Sequence, residues 1–236
     1  GIPGGGRMFE ELSSMLLKTP LFEGLVPKEL TSLLNCTSAS TSAYRKSEVI
    51  AFSGDVFRQV GMVVRGEAIV SKENTAGERL VMTYLKQGDL FGEMLAFTSK
   101  KHYISTVEAK TDCLVLYIPK EKIVPNCFSL CRCHRVMIQN YLKILSEKSL
   151  LLSQKIEYLR IRSIRGKIAA FLLDQYEKTG NRSLELPFNR NEMAEFLNIS
   201  RPSMSREMGL LKREEVIDFH KNSFRILDPA RLKAFI

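Results

Sequence analysis

The sequence lacks any run of about eighteen apolar residues, the length that a membrane-spanning helix needs. It also lacks the basic and then apolar start of a secretory signal, so we expect a cytosolic protein without a membrane partner. A phosphate-binding loop, a paired-histidine metal motif and a nucleophile elbow are missing as well, which argues against an enzyme. Its five cysteines, an odd number, argue against a disulfide framework. We interpret the glycine-rich residues 1–7 as a remnant of cloning that precedes a native start at Met8.

Positive charge is concentrated in the second half of the chain. Residues 1–134 hold 16 Lys and Arg against 14 Asp and Glu, whereas residues 135–236 hold 19 against 12. The net charge of +9 therefore arises mainly from the second half. A polyanionic partner for that half is expected, and its binding should weaken as salt rises. Double-stranded DNA is the partner that the motifs of this half indicate.

Two short helices joined by a tight turn are predicted between residues 189 and 213. Asn189 and Glu192 have the spacing of a capping box, which starts the first helix. Ser200 is a second N-cap, and Pro202 falls in the first turn of the second helix, where a missing backbone N–H costs little. This pattern is typical of a helix-turn-helix. The alternative is an ordinary amphipathic helix pair with a solvated basic face.

The second helix is predicted to bury Met204, Met208 and Leu211 and to expose its N-terminal end. Arg201 and Arg206 are the predicted base readers, because a guanidinium group can bind guanine O6 and N7 with two hydrogen bonds. A hairpin over residues 216–227 follows as a wing. Phosphate contacts and the wing tip complete the predicted DNA-binding set, which is Arg190, Ser200, Arg201, Pro202, Ser203, Arg206 and Lys221.

The first half of the chain alternates short β-type runs with glycine turns. Many short strands at this spacing indicate a sandwich or barrel that can enclose a small ligand. A helical stretch from Glu10 to Leu34 precedes them. The predicted strands are Glu48 to Phe52, Gln59 to Val64, Glu67 to Lys72, Glu78 to Leu85, His102 to Ala109 and Cys113 to Ile118.

A long helix is predicted from Ser129 to Arg160, with apolar residues alternately four and three positions apart. Such a seam packs either against the β domain of its own chain or against a second copy. We favour a symmetric dimer, because a two-fold protein can place two recognition helices about one DNA turn apart. The predicted dimer interface is Ile138, Leu142, Leu145, Ser149, Leu152, Ile156 and Leu159.

Three of the five cysteines cluster beside a histidine, as Cys127, Cys131, Cys133 and His134. Thiols and an imidazole suit a metal ion, an iron–sulfur cluster or a redox switch. The spacing matches no zinc ribbon or finger, and helix residues at i and i+2 point away from each other. We therefore predict no metal site and a structural or incidental role for the cluster. A thiol- or metal-based redox sensor remains the alternative.

Two segments resemble the Crp/Fnr family of bacterial transcription regulators, named for the cyclic AMP receptor protein and the fumarate and nitrate reduction regulator. Residues 64–93 look like the family's β roll, and residues 200–206 look like the start of its recognition helix. The resemblance extends from Leu16 onward. It implies an α+β fold with a cyclic-nucleotide-binding-like jelly roll, a long dimerisation helix and a C-terminal winged helix-turn-helix. The corresponding ranges are residues 8–128, 129–160 and 161–236, with a hinge near 160–166.

The resemblance implies a regulator that works as a homodimer on a palindromic operator, with a small-molecule effector and with RNA polymerase as a further candidate partner. Pro202 stands where the cyclic AMP receptor protein has Glu, so the operator sequences should differ. A nucleotide-binding regulatory module without DNA binding is the alternative from another class. Relatives that sense oxygen hold iron and sulfur on N-terminal cysteines, which residues 1–35 lack. A haem sensor would need an axial ligand, for which His102 and His134 are available.

The family's effector pocket is only partly matched. Gly92 and Glu93 match the start of its phosphate-and-ribose cassette, but the Arg and Ser that bind the phosphate are replaced by Tyr103 and Ile104. Without a charge-assisted guanidinium pair an anion loses about 2–3 kcal/mol, so cyclic AMP is disfavoured and the effector is unknown. Lys100, Lys101 and His102 offer substitute cations. The predicted effector pocket is Gly92, Glu93, Met94, Tyr103, Ile104, Ser105, Leu152 and Ser153.

Overall fold

The computed structural model of the chain describes residues 12–73, 79–124, 131–186 and 189–236. The chain divides into two compact units, residues 1–147 and residues 148–236. The predictions for residues 1–7, for Cys127 and for the start of the long helix at Ser129 lie outside the described residues. In the described ranges no helix combines the length and the apolar character needed to cross a bilayer.

The first unit is a β roll with helices on one side. Its strands form two four-stranded antiparallel sheets in the described residues, ordered β1-β8-β3-β6 and β2-β7-β4-β5. Residues 12–16 form α1, and α2 is Pro27–Cys36. The strands are β1 Ser40–Tyr44, β2 Val49–Ala51, β3 Gln59–Arg65, β4 Ala68–Glu73, β5 Arg79–Leu85, β6 Leu90–Phe91, β7 Thr106–Ala109 and β8 Cys113–Pro119.

Strands β3 and β8 are buried on both faces, which explains their nearly continuous apolar sequences. Val60, Met62 and Val64 point to a core shared with α1, α2 and the start of the next helix. Val63 points into the roll, where its side chain packs against residues of the other sheet. The ring of Phe91 lies on the bare backbone of Gly61, where an added Cβ would come within 2.0 Å of the ring.

The predicted strand runs agree with β2, β3, β4, β5, β7 and β8, whose described bounds differ from them by a few residues. The prediction missed β1, in which no residue is buried, and β6, which is only two residues long. It was also wrong to expect one helical stretch from residue 10 to residue 34. Gly24 at φ +82° and Pro27 interrupt that segment, so α1, a short turn at Pro20–Phe22 and α2 replace it.

A single helix, α3, runs through Arg132–Arg160 and crosses the division between the two units. Its start packs on the β roll through Met137 and Tyr141, which are buried. Near its end, Tyr158 belongs to the core of the second unit. The helix ends at Arg160, in the region predicted to be a hinge, and three residues separate it from the next helix.

The second unit combines helices with a small antiparallel sheet of order β10-β11-β9. Strand β9 is polar and three residues long, and the sequence prediction missed it. The hairpin β10-β11 is the predicted wing, and Lys221 lies at its tip with φ +51°. The elements are α4 Ile164–Thr179, β9 Ser183–Glu185, α5 Arg190–Phe196, α6 Arg201–Arg213, β10 Ile217–His220, β11 Ser223–Ile226 and α7 Pro229–Lys233.

Candidate functional site

Helices α5 and α6 form the predicted helix-turn-helix, and each begins at the predicted cap. Asn189 Oδ1 accepts hydrogen bonds from the backbone N–H groups of Asn191 and Glu192, at 2.9 and 3.0 Å. Glu192 Oε2 accepts one from the Asn189 N–H at 2.9 Å, which completes the capping box. Ser200 Oγ accepts from the Ser203 N–H at the start of α6. The turn between the helices contains Asn198 at φ +51°.

The N-terminal end of α6 is exposed, as predicted. Arg201, Pro202 and Arg206 are exposed, whereas Met204 and Met208 are buried in the unit's core. Side chains at this end are linked to one another, because Ser203 Oγ lies 2.8 Å from Ser200 Oγ and accepts a hydrogen bond from Arg206 Nη2 at 3.3 Å. The helix therefore presents two guanidinium groups, and the Ser203 hydroxyl orients that of Arg206.

Arg190, predicted to contact phosphate, is placed differently. Its guanidinium carbon lies 4.7 Å from the centre of the Phe219 ring and 4.4 Å from that of Phe224, both on the wing. Its Nη1 lies 3.2 Å from the sulfur of Met208. Burial lowers the pKa of the Arg190 guanidinium. The side chain thus joins α5, α6 and the wing instead of extending into solvent.

Sequence reasoning missed Arg165, which fixes the position of α6. This α4 residue donates from Nε to Glu207, and from Nη1 and Nη2 to the two carboxylate oxygens of Glu214 at 3.0 and 2.9 Å. The bond to Glu207 is the main cause that raises the pKa of Arg165. The Arg165 guanidinium also neutralises Glu207, an acidic side chain on α6, the predicted recognition helix. No local signal could have revealed it, because the partners are more than 40 residues apart in the sequence.

In the β roll, the structure brings Gly92 and Tyr103 together. Gly92 has φ +73°, and a Cβ there would lie 2.8 Å from Phe57 Cε2 and 3.3 Å from Tyr103 Cε1. The Tyr103 hydroxyl donates to the Gln59 carbonyl at 3.0 Å, and its ring meets the Phe57 ring edge-on at 5.2 Å. Burial raises the pKa of Tyr103 to about 12. A phenol ring therefore occupies the position that the sequence analysis predicted to align with the family's guanidinium.

The remaining predicted pocket residues are scattered. Glu93 is buried, and its backbone carbonyl accepts a hydrogen bond from the Tyr141 hydroxyl at 2.6 Å. Ser105 is half-buried, whereas Met94 and Ile104 are about half exposed, at 53% and 50%. Leu152 and Ser153 occupy exposed positions in the part of α3 that belongs to the second unit.

The predicted seam of α3 changes character along the helix. Ile138 is half-buried, and Leu145 packs against the core of the first unit. Further on, Leu152, Ile156 and Leu159 are 49%, 60% and 45% exposed. Leu142 and Ser149, the other seam residues, are also exposed. Packing in the first unit thus accounts for Leu145, whereas Leu152, Ile156 and Leu159 form an uncovered apolar stripe in the described residues.

The thiol and imidazole groups that precede and begin α3 meet, contrary to the sequence expectation. Cys131 Sγ lies 3.1 Å from Cys133 Sγ and 3.0 Å from His134 Nδ1. The expectation was wrong because α3 begins at Arg132, so Cys131 precedes the helix and is not held at helical i, i+2 geometry. The hydrogen bond with Cys133 lowers the pKa of the Cys131 thiol. Burial raises the pKa of Cys133 and lowers the pKa of His134.

Comparison with known families matches both units. Residues 41–125 match the cyclic nucleotide-binding domain, and residues 166–235 match the Crp-like helix-turn-helix domain. The first match covers the β roll, including Gly92 and Tyr103. The second covers α4 to α7, including every predicted DNA-binding residue.

Individual relatives are transcription regulators. The cAMP-activated global transcriptional regulator CRP of Salmonella typhimurium is 22% identical over 181 residues, which is 75% of this chain and 84% of the relative. The transcriptional activator protein FnrL of Cereibacter sphaeroides is 28% identical over 196 residues, 80% of this chain and 77% of the relative. The global nitrogen regulator of Synechococcus elongatus is 24% identical over 196 residues, 80% of this chain and 86% of the relative.

Solved structures share the fold. CprK in complex with OCPA superposes with a TM-score of 0.68 at 16% identity, covering 87% of this chain and 93% of that one. The catabolite activator protein of Thermus thermophilus gives a TM-score of 0.52 at 21% identity, covering 92% of this chain and 98% of that one. At these identities the likeness concerns the fold alone.

Proposed function

Because this chain belongs to the Crp/Fnr family of DNA-binding transcription regulators, we propose that it binds a palindromic operator as a homodimer whose DNA affinity an effector controls. The observation that carries the proposal is the pair of exposed guanidinium groups at the capped N-terminus of α6. In a helix-turn-helix this end of the second helix enters the major groove. We therefore propose that Arg201 and Arg206 contact base edges and read the DNA sequence.

The groups around those two arginines are proposed to contact DNA phosphates. The N-terminus of α6 carries the positive end of the helix dipole, and the hydroxyls of Ser200 and Ser203 lie beside it. Lys221 at the tip of the wing is exposed and can contact the sugar-phosphate backbone. We leave Arg190 out of this set, because its guanidinium packs on the wing phenylalanines.

Dimerisation is supported by the uncovered stripe on α3. Leu152, Ile156 and Leu159 continue the seam at a spacing of four and three and are about half exposed. Full burial of a Leu or Ile side chain contributes about 1.5–3 kcal/mol, so covering the exposed half of each of these contributes about 1 kcal/mol. Pairing two copies of α3 along this stripe would bury it. A two-fold dimer can then place its two recognition helices about one DNA turn, roughly 34 Å, apart. RNA polymerase remains a further candidate partner.

The effector proposed for the β roll is not cyclic AMP. A cyclic nucleotide carries an anionic phosphate, and the residue that the resemblance aligns with the family's arginine is Tyr103, a half-buried phenol that packs against Gly92. The contacts of this ring support an effector of different chemistry. The cluster of Cys131, Cys133 and His134 at the start of α3 is the other candidate sensor. A nucleotide-binding module without DNA binding is disfavoured, since residues 166–235 match a Crp-like helix-turn-helix.

The test is fluorescence anisotropy with a selected operator duplex and a scrambled duplex at stated salt. We expect Arg201→Ala and Arg206→Ala each to weaken operator binding by about 1–3 kcal/mol, roughly 5- to 150-fold, with little change on the scrambled duplex. Light scattering should give an unchanged dimer mass. Lys233→Ala, which removes an exposed charge from α7, is the matched control. Operator binding by the two arginine variants at wild-type strength would contradict the proposal.

A further inference from the structure

The cluster of Cys131, Cys133 and His134 has the composition of a ligand set. Each residue offers one ligand atom, and these atoms lie within 4.8 Å of one another. Such convergence is not a consequence of helix geometry, because Cys131 lies before the first residue of α3. Cys127 lies outside the described residues and is given no place in the site.

The cluster is embedded in the protein on one side and accessible on the other. His134 is fully buried and Cys133 is 9% exposed, whereas Cys131 reaches the surface. In the described part of the chain, His134 Nε2 has no hydrogen-bond partner. The polar contact that the buried ring makes is therefore the one between its Nδ1 and the sulfur of Cys131. Because the ring is buried, its orientation is fixed, and Nδ1 faces the sulfur of Cys131.

Thiol–thiol and thiol–imidazole hydrogen bonds are weak, so three such groups satisfy one another poorly. A soft or borderline cation would satisfy all three, since thiolate and imidazole are the ligands that zinc prefers. Hard cations such as Mg²⁺ and Ca²⁺ prefer oxygen ligands, which this cluster lacks. The ligand set is also unlike the four cysteines of common iron–sulfur clusters.

We propose that Cys131, Cys133 and His134 bind one thiophilic divalent cation, with Zn²⁺ as the leading candidate and a fourth coordination position open. Zinc bonds of about 2.3 Å to sulfur and about 2.0 Å to nitrogen give ligand-to-ligand distances of roughly 3.5–3.8 Å in a tetrahedron. The present distances of 3.0 and 3.1 Å are shorter. Loading thus requires the ligands to separate by about half an ångström, which rotation of the surface side chain Cys131 can supply.

The site goes beyond the DNA-binding function and does not depend on it. Its test therefore uses no DNA, so either idea can fail while the other stands. The full-length protein is reduced, stripped of metal with a chelator and titrated with Co²⁺, and Zn²⁺ is then added as a competitor. Metal content is measured by atomic emission, and coordination by the absorption of Co²⁺ bound to thiolate.

We expect one ion per chain, a thiolate-to-cobalt charge-transfer band and displacement of Co²⁺ by Zn²⁺. Cys131→Ser should weaken binding by at least about 100-fold, because loss of a direct ligand exceeds the 10–100-fold cost of losing an outer-shell partner. This residue is the best choice, since its surface position limits damage to the fold. Cys36→Ser, which removes an exposed thiol on α2, is the matched control and should bind like wild type.

A second readout does not depend on any substitution. Zn²⁺ should slow alkylation of Cys131, followed by mass spectrometry, and leave alkylation of Cys36 unchanged. The proposal is overturned if the reduced protein takes up less than stoichiometric metal, or if Cys131→Ser binds as tightly as wild type. It is also overturned if the reduced protein takes up no metal and air oxidation joins Cys131 to Cys133 in a disulfide, with O₂ accepting the two electrons. That result would make the cluster a redox pair.

Discussion

The guanidinium carbon of Arg190 lies 4.4 Å from the centre of the Phe224 ring, so the first residue of α5 is attached to strand β11 of the wing. A cation over an aromatic face contributes about 0.5–2 kcal/mol, with the larger values at desolvated positions. Arg190 is half-buried and contacts two rings. These contacts hold the wing against the helix-turn-helix.

We predict that Arg190→Ala lowers the free energy of unfolding of the second unit by about 1–2 kcal/mol through lost stacking and packing. At a temperature where the variant is folded, the salt dependence of DNA binding should match that of wild type. Arg190→Lys separates the stacking from the charge, because it keeps the positive charge but loses the planar guanidinium. This variant should also lower the free energy of unfolding. If Arg190 instead contacts phosphate, Arg190→Ala will reduce the slope of log affinity against log salt by about 1.

Ile156→Glu should convert the proposed dimer to monomers, because it introduces a charge into the middle of the exposed stripe of α3. Light scattering at micromolar concentration measures the mass directly. Leu150→Glu is the matched control, since Leu150 is 66% exposed on the same helix but lies outside the seam. A wild-type mass for Ile156→Glu, or equal dissociation in both variants, would count against pairing through this stripe.

Titration calorimetry should give no dissociation constant for cyclic AMP in the low micromolar range. Loss of the charge-assisted pair to the phosphate costs about 2–3 kcal/mol, which alone weakens binding roughly 30- to 150-fold. Glu93→Gln is the control if a weak heat of binding is observed. Binding in the β roll through the ribose hydroxyl would be weakened in this variant, whereas binding elsewhere would not. A micromolar dissociation constant that is sensitive to Glu93→Gln would refute the prediction.

Alkaline pH should destabilise the first unit in a way that depends on Tyr103. Burial raises its pKa from 10.0 to about 12, so the folded protein holds the phenolic proton more tightly than the unfolded chain. The resulting stability is fully present below pH 10 and is lost as pH rises toward 12. Urea unfolding between pH 9 and 11 should show a shallower decline for Tyr103→Phe than for wild type. Equal slopes would mean that Tyr103 titrates normally.

Local signals in the sequence were sufficient for the helix-turn-helix. The cap at Asn189 depends on residues two and three positions away, and the cap at Ser200 depends on Ser203. These contacts form wherever the local pattern occurs, so the boundaries of α5 and α6 could be predicted. The orientation of Arg190 could not, because the wing phenylalanines lie about thirty residues further along the chain.

The thiol cluster shows how the position of a helix boundary changes which side chains meet. With a helix beginning at Ser129, Cys131 and Cys133 would point to different sides of it. The described helix begins at Arg132, and this shift of the boundary lets the two sulfurs meet at 3.1 Å. Boundaries are the part of a helix that a sequence pattern specifies least. The polar strands β1 and β9 were missed for a related reason, since neither has the apolar alternation that identifies a strand.

The central claim is that a dimer reads DNA sequence through Arg201 and Arg206. Its most direct test is selection of bound sequences from a random duplex library by the purified protein at stated salt, with and without a cell metabolite extract. We predict enrichment of a palindrome whose half-sites lie about one helical turn apart, enhanced by extract and lost in the Arg201→Ala, Arg206→Ala double variant. Salt-sensitive binding without sequence preference in both arms would contradict the claim.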